Sequence, residues 1–261
     1  DVDMVSFTGS TGVGKLTMRN ASETLKKVSL ELGGKNPQIV FGDANLEEFA
    51  DAAVFGAFFN AGECCNAGSR LILHTSIAEE AIARISALSA KVKVGDPLND
   101  ETQVGAIITP MHFDKVTGHV AAAEAAGAGV AFGGGALDLG AGQFMAPTIV
   151  SGVTPEMAIA REEVFGPVLS VLTFDTLDEA VAIANNVDYG LSAGVWSAGM
   201  DNCLSVGRRV RAGTVWMNTF MDGASELPFG GYKQSGLGRE LGRHAVEDYT
   251  ETKTLNMHIG A

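Results

Sequence analysis

The chain has 261 residues, of which 46% are hydrophobic and 19% are charged, so it has enough apolar material to bury a core in one large or two small domains. Its formal net charge is -13, spread along the chain, which argues against nucleic acid and anionic membranes as partners. The sequence has no signal-peptide pattern and no window of about 20 uninterrupted apolar residues. We therefore expect a cytoplasmic protein whose partners are small neutral molecules and other proteins.

The first elements predicted along the chain are a strand over 4–8, a glycine-rich turn over 9–14, a helix over 15–25 and a second strand over 28–32. Proteins do not normally open on a buried strand in the middle of an α/β unit. We therefore expect that the chain is a piece of a longer protein.

The middle of the chain carries helical patterns. Apolar residues follow the i, i+3, i+4 rule over 45–65, and the predicted strand 70–74 comes next. Two more amphipathic helices are predicted over 77–92 and 110–126. Glycine and alanine dominate 121–142, where interspersed apolar residues favour turns between short surface strands over a flexible linker.

Strand and helix alternate in the last third of the chain. Strands are predicted over 169–174, 190–197 and 214–218, and helices over 176–185 and 200–210. Thr176 and Glu179 form a capping-box pattern at the first of these helices. The alternation predicts an α/β fold with right-handed crossovers and a parallel sheet. The alternating segment 250–257 predicts a strand that pairs with another subunit.

Only three cysteines occur, two of them adjacent at Cys64 and Cys65 and one distant at Cys203. Adjacent cysteines would close a strained ring if bridged, and no second pair has the spacing of zinc ligands. The pattern predicts free thiols and no metal site.

The glycine-rich turn allows three interpretations. Backbone N–H groups at the start of a helix bind phosphate, as in a P-loop or a dinucleotide site, and the turn is also compatible with a purely structural role. The P-loop pattern has Leu16 where a hydroxyl must reach magnesium, and 39–43 is a poor second acidic motif. The turn by itself favours none of the three.

Five ordered segments decide between them. They are 7–14, 30–37, 62–70, 162–168 and 228–236. In residue identity, order and spacing they resemble the aldehyde dehydrogenase superfamily, and the resemblance covers essentially the whole chain. A P-loop interpretation explains none of the last four segments.

The resemblance implies two catalytic residues, Cys65 as nucleophile and Glu31 as general base. A thiolate attacks an aldehyde carbonyl to give a thiohemiacetal, whose oxidation leaves a thioester that water hydrolyses. Glu31 would take a proton from the thiol or the water. Without the motif, both cysteines would be interpreted as buried core residues and Glu31 as a solvated carboxylate at a strand end.

The resemblance also implies an NAD or NADP site. Gly9 and Ser10 match the position that contacts the pyrophosphate, and Leu32 the backbone that meets the nicotinamide amide. Glu163 matches the residue that binds the nicotinamide ribose, and Phe165 the ring that packs beside the nicotinamide.

Four further residues are expected in the pocket for a small-molecule aldehyde: Glu63, Cys64, Asn66 and Phe229. Glu63 departs from the family pattern, which usually has glutamine at this position. The departure places a negative charge near a thiol whose reactivity depends on ionisation.

The implied architecture is an aldehyde dehydrogenase-like three-layer, parallel-sheet catalytic domain with a partial Rossmann-type segment. Residues 1–33 would be a remnant of the nucleotide-binding domain and 34–235 the catalytic domain. Residues 236–249 would pack on the nucleotide side, and 250–261 would form the arm of a homodimer or homotetramer. The implied reaction is oxidation of an aldehyde to a carboxylic acid. A non-catalytic assembly fragment and a cofactor-independent thiol esterase remain alternatives.

Overall fold

A computed structural model of the chain describes residues 2–260. Its helices are α1 (Thr11–Ala21), α2 (Leu46–Phe58), α3 (Ala78–Ser89), α4 (Pro110–Ala125), α5 (Ala158–Arg161), α6 (Leu177–Asn185), α7 (Met200–Arg209) and α8 (Gly242–Asp248). Its strands are β1 (Met4–Thr8), β2 (Lys27–Glu31), β3 (Pro37–Val40), β4 (Arg70–His74), β5 (Gly129–Phe132), β6 (Ala136–Leu137), β7 (Phe144–Met145), β8 (Thr148–Ser151), β9 (Val168–Phe174), β10 (Tyr189–Gly190), β11 (Ser192–Trp196), β12 (Thr214–Met217), β13 (Tyr232–Lys233) and β14 (Gly236–Leu237).

The main sheet has seven strands in the order β12-β11-β3-β4-β9-β8-β5. Every neighbouring pair is parallel except β5, which runs antiparallel to β8 at one edge. The parallel α/β sheet predicted from the strand and helix alternation is therefore confirmed.

Helices cover both faces of this sheet and complete a three-layer sandwich. One core cluster joins the sheet to α2 and α3, and the other joins it to α4, α5, α6 and α7. All four residues of β3 are buried, as expected for a central parallel strand covered on both faces. Complete burial of an aliphatic side chain in such a core contributes about 1.5–3 kcal/mol.

A smaller sheet of three strands, in the order β1-β2-β14, lies beside the main one. β1 and β2 are parallel, and β14 pairs antiparallel with β2 so that Gly236 lies opposite Glu31. The chain that precedes β14 is thereby brought next to the carboxyl end of β2, where Leu32 N donates to the Ser235 carbonyl oxygen.

Several boundaries differ from the predictions. α1 begins at Thr11, because Ser10 caps it by accepting a hydrogen bond from Val13 N at 3.4 Å. Gly14 lies within this helix. A Cβ there would come within 2.6 Å of the Leu32 side chain, so the glycine allows the helix to pack closely on Leu32. The glycines therefore serve close packing inside the helix as well as the turn.

Two other differences concern α2 and β3. The predicted helix over 45–65 is wrong beyond Phe58, because Asn60 and Ala61 adopt positive φ angles of 51° and 57° and turn the chain. β3 was missed, since its four buried residues do not alternate between polar and apolar.

The strand predicted over 250–257 has no partner in the single chain, and its pairing with another subunit stays a prediction. Residues 251–260 form no helix or strand and are all exposed. A strand needs a neighbour for its backbone N–H and C=O groups, and within residues 2–260 none pairs with this segment.

Candidate active site

One cavity of about 500 Å³ gathers most of the predicted site residues. It lies at the carboxyl ends of the parallel strands β1 and β2, where open α/β sheets bind their ligands. The lining residues are Thr8, Gly9, Ser10, Glu31, Leu32, Gly33, Glu63, Cys64, Cys65, His112, Lys115, Glu163 and Phe165. Of the predicted residues, Asn66 and Phe229 are not among them.

The two thiols lie on a short segment, the thiol loop, defined as residues 62–66. Its shape depends on Gly62, which has a φ of +70°. A Cβ at Gly62 would lie 2.1 Å from the carbonyl oxygen of Gly166, so any side chain there would clash with backbone. The loop therefore packs directly on the segment that precedes β9.

Asn36 fastens the thiol loop to the main sheet, and the sequence analysis did not identify it. Its Nδ2 donates to the carbonyl oxygens of Cys65 and Ala67, both at 2.8 Å, and its Oδ1 accepts from Ser192 N at 3.1 Å. Gly34 lets the loop approach, since a Cβ there would lie 2.5 Å from the Cys65 carbonyl oxygen. The Cys65 backbone is thus held by a buried amide.

The thiols of Cys64 and Cys65 are partly buried and interact with each other. The hydrogen bond with Cys65 lowers the pKa of the Cys64 thiol, and the Asn66 N–H lowers it further although burial acts in the opposite sense. The same hydrogen bond, burial and the charge of Cys64 raise the pKa of Cys65. One thiol of the pair therefore ionises readily, and ionisation of the second is unfavourable. Cys65 requires a base to become a thiolate.

Glu31 has the environment of such a base. Its side chain is 5% exposed, and neither carboxylate oxygen has a hydrogen-bond partner among residues 2–260. Burial raises the pKa of Glu31 to about 7; nearby Glu240 also raises it, and Arg239 opposes them. A carboxyl group that titrates near neutral pH is suited to take up and release a proton.

Glu163 is anchored beside the double glycine that follows β2. Its Oε1 accepts a hydrogen bond from Gly34 N at 2.8 Å, and a Cβ on Gly33 would lie 2.4 Å from Oε2. Burial raises the pKa of Glu163, whereas the Gly34 hydrogen bond and Lys115 lower it. Phe165, two residues on, has a φ of 60°.

The glycine-rich end of the cavity lies at the N-terminus of α1. Gly9 N donates to the Glu31 carbonyl oxygen at 3.0 Å, and a Cβ there would come within 2.5 Å of the Phe7 ring. Ser10 is exposed at the helix start, where the helix dipole favours an anion. Leu32 is buried, and its N–H already donates to the Ser235 carbonyl oxygen at 2.9 Å.

His112 and Lys115 line the cavity although sequence reasoning missed them. Both lie in the first two turns of α4, whose N-cap Thr109 is followed by Pro110 at the first helical position. That signature fixes the helix start and places residues three apart on one face, but it does not show that this face lines the cavity.

Asn66 and Phe229 lie outside the cavity lining. The Asn66 Oδ1 is buried without a hydrogen-bond partner among residues 2–260. Phe229 exchanges two backbone hydrogen bonds with Glu240, each 2.7 Å long. Its contact with the site runs through Glu240, which neighbours Glu31.

Among residues 2–260, all three cysteines are free and no group of His, Cys, Asp or Glu is arranged to hold a metal ion. Within the same range, no helix is long and apolar enough to cross a membrane.

Comparison with known proteins gives the family. The sequence model of the aldehyde dehydrogenase family matches residues 1–255. The chain belongs to this family.

Among its relatives is the aminoacetaldehyde dehydrogenase of Pseudomonas aeruginosa, 45% identical over 98% of this chain and 51% of the relative. The crystal structure of the NAD-dependent aldehyde dehydrogenase of Sinorhizobium meliloti is 52% identical and superposes with a TM-score of 0.94, over 97% of this chain and 50% of that one. The betaine aldehyde dehydrogenase of Staphylococcus aureus in complex with NAD+ is 41% identical, with a TM-score of 0.92 over 95% of this chain and 50% of the other. The chain spans about half the length of the relatives it matches.

The cavity fits a nicotinamide dinucleotide in three respects. The Glu163 carboxylate is held at the cavity wall by Gly34 N. Ser10 stands at the start of α1, as a pyrophosphate contact requires. The volume lies in the range of small-molecule sites.

Proposed function

We propose that this chain is the thiol-carrying half of an NAD-dependent aldehyde dehydrogenase that oxidises an aldehyde to a carboxylic acid. The observation that carries the proposal is the single cavity in which Cys65, Glu31, Glu163, Phe165 and Ser10 meet. Because the chain spans about half of its relatives, the activity, the cofactor and the substrate of the whole protein remain proposals.

In the first step, the Cys65 sulfur attacks the aldehyde carbon. Glu31 removes the thiol proton, because the raised pKa of Cys65 keeps the thiol protonated and the raised pKa of Glu31 brings the carboxyl group near neutrality. The new C–S bond gives a thiohemiacetal. The bound nicotinamide would then accept a hydride from that carbon, leaving a thioester on Cys65.

In the second step, water hydrolyses the thioester. Glu31, having released the first proton to solvent, takes a proton from the water as it attacks, the C–S bond breaks, and Cys65 leaves as a thiolate. The Asn36 amide, which holds the Cys65 carbonyl oxygen, keeps the sulfur in place through both steps. Glu163 would hold the nicotinamide ribose, Ser10 with Gly9 the pyrophosphate, and the backbone of Leu32 the nicotinamide amide.

The domain division at 33, 235 and 249 is part of this proposal. Pairing of β14 with β2 supports assigning 236–249 to the nucleotide side. We also propose that 250–261 is an oligomerisation arm of a cytoplasmic homodimer or homotetramer, since Leu255, Met257 and Ile259 on that segment are each more than 80% exposed.

A second candidate is a thiol esterase that needs no nucleotide. It is favoured by the fact that both groups required for acyl transfer, Cys65 and Glu31, line a cavity of this chain alone.

The test is to assay residues 1–261, and a fusion of them behind the N-terminal half of the Sinorhizobium meliloti enzyme, for NADH formation from aldehydes. The proposal expects NADH formation by the fusion and little by residues 1–261. Ester hydrolysis by both proteins with no NADH from either would favour the esterase. A folded fusion that shows neither activity would contradict both candidates.

A further inference from the structure

The thiol loop has a polar connection to α4 that the proposed reaction does not use. Glu63 Oε1 accepts a hydrogen bond from Ile108 N at 3.1 Å, just before the helix begins. The same oxygen lies 3.7 Å from His112 Nε2. The side chains of His112 and Glu63 are only 16% and 13% exposed, so solvent screens this contact weakly.

The connection continues from α4 to the segment that carries Glu163. His112 Nε2 is hydrogen-bonded to the Phe165 carbonyl oxygen, which can only accept, so Nε2 carries a hydrogen and a further proton would bind at Nδ1. One helical turn on, Lys115 Nζ donates to the Glu163 carbonyl oxygen at 3.0 Å. The start of α4 thus contacts the thiol loop on one side and residues 163–165 on the other.

The charge of Glu63 also affects the ionisation of the thiols. Glu63 adds a negative charge to a cavity that already holds two thiols, Glu31 and Glu163. Nearby negative charge makes thiolate formation harder. A positive charge on His112, 3.7 Å from the Glu63 carboxylate, would offset the Glu63 charge.

We propose that Glu63 and His112 form a charge-paired tether, which holds the thiol loop and residues 163–165 against α4 and tunes the ionisation of the thiols. Both are positioning residues, and the proposal rests on the proposed function only in taking the thiols as the reactive groups. The other charged groups facing His112 are Glu163 across the cavity and Lys115 on its own helix. Those facing the thiols are Glu31 and Glu163.

The experiment measures the rate of thiol alkylation by iodoacetamide against pH, using residues 1–261. Variants E63Q, H112Q and the double variant are compared with the parent. D114N serves as control, because it removes one negative charge from an exposed position on the same helix outside the cavity. Alkylation needs neither cofactor nor aldehyde, so the result is independent of whether the chain oxidises anything.

E63Q retains an oxygen that can accept the hydrogen bond from Ile108 N but removes the negative charge. Its profile of alkylation rate against pH should therefore shift to lower pH by about half a unit or more. H112Q should shift the profile to higher pH. The H112Q shift should be smaller when E63Q is also present, because the two side chains act through one contact.

Profiles of E63Q and H112Q that overlay those of the parent and D114N would overturn the proposal. Shifts that add without interaction in the double variant would show that the two charges act separately, and would overturn the pairing. A merely structural contact would lower stability without moving the pH profile.

Discussion

Strands β3 and β1 each have one end near the active site, since β3 begins beside the thiol loop and β1 ends at the cavity, yet they differ in their surroundings. All four residues of β3 are buried, whereas none of the five residues of β1 is. Within residues 2–260, β3 has a strand on each side and β1 pairs only with β2. The thiol loop is therefore fastened to a complete three-layer core, while Gly9 and Ser10 extend from a thin sheet with an open edge.

The difference suggests how the proposed activities divide. Acyl transfer depends on thiols held by the main sheet and on Glu31 at the end of the covered strand β2, whereas the pyrophosphate contact depends on the edge strand β1. We therefore expect residues 1–261 alone to carry out thiol chemistry while binding nicotinamide dinucleotide weakly. An exposed strand edge should also favour self-association.

The largest expected effect is at the nucleophile. Cys65→Ser should lower ester hydrolysis by residues 1–261 by about a thousandfold or more, since a hydroxyl at this site is a far weaker nucleophile than the thiol. Cys64→Ala is the matched comparison and should lose less than about tenfold. Release of nitrophenol from nitrophenyl acetate measures both, and a larger loss in Cys64→Ala would reverse the assignment.

Removing the base should affect both halves of the reaction. Glu31→Gln should slow the initial burst of acylation, and it should slow thioester hydrolysis by about 100-fold. In the parent, hydrolysis should rise with pH through about 7, because the Glu31 carboxyl must lose its proton to act as a base. The variant should lack this rise. Stopped-flow rates across pH 5–9 give the comparison, and identical profiles would remove Glu31 from the mechanism.

The proposed roles of Cys65, Glu31, Glu163 and Phe165 were expected because their motifs are local in sequence. The structure places all four around one cavity. Their roles remain predictions until the variants are measured.

The contacts made by Asn36, His112 and Lys115 were beyond sequence reasoning for a physical reason. Asn36 acts through Cys65, 29 residues away, and His112 through Phe165, 53 residues away. Such contacts depend on how strands and helices pack, which periodicity does not encode. For the tail 250–257, an alternating pattern forms a strand only where a partner strand exists, and residues 2–260 supply none, so its pairing with another subunit stays a prediction.

The effect of mutation on the free energy of unfolding should also differ between the main sheet and the three-stranded sheet. Asn36→Ala should lower the free energy of unfolding by about 2–4 kcal/mol, because it leaves two carbonyl oxygens and one N–H group without partners in a buried place. Ser6→Ala, on the exposed face of β1, should change it by less than about 0.5 kcal/mol. Urea unfolding measures both, and equal effects would contradict the contrast between the sheets.

A smaller effect is expected at Lys35, which is 1% exposed and whose Nζ has no hydrogen-bond partner among residues 2–260. Burial, with a contribution from Arg70, lowers the pKa of Lys35 to about 7 from an ordinary value of 10.5. Between these values the unfolded chain binds more protons than the folded one, so Lys35 makes stability rise with pH there.

Lys35→Met should therefore stabilise the fold by about 1 kcal/mol or more below pH 7, and the gain should diminish toward pH 10.5. Urea unfolding of the parent and the variant at several pH values tests the direction. A variant that is less stable than the parent at pH 6 would show that the buried ammonium has a partner.

The central question is which thiol reacts. The pKa of Cys64 is lowered and that of Cys65 is raised, so Cys64 ionises first, whereas the motif assigns the nucleophile to Cys65. The decisive measurement is brief alkylation of residues 1–261 near neutral pH, followed by mass-spectrometric mapping of the labelled cysteine. The account predicts that Cys65 carries the label, since Glu31 can relieve it of its proton and a thiol of higher pKa is the stronger nucleophile once ionised. Preferential labelling of Cys64 or Cys203 would contradict it.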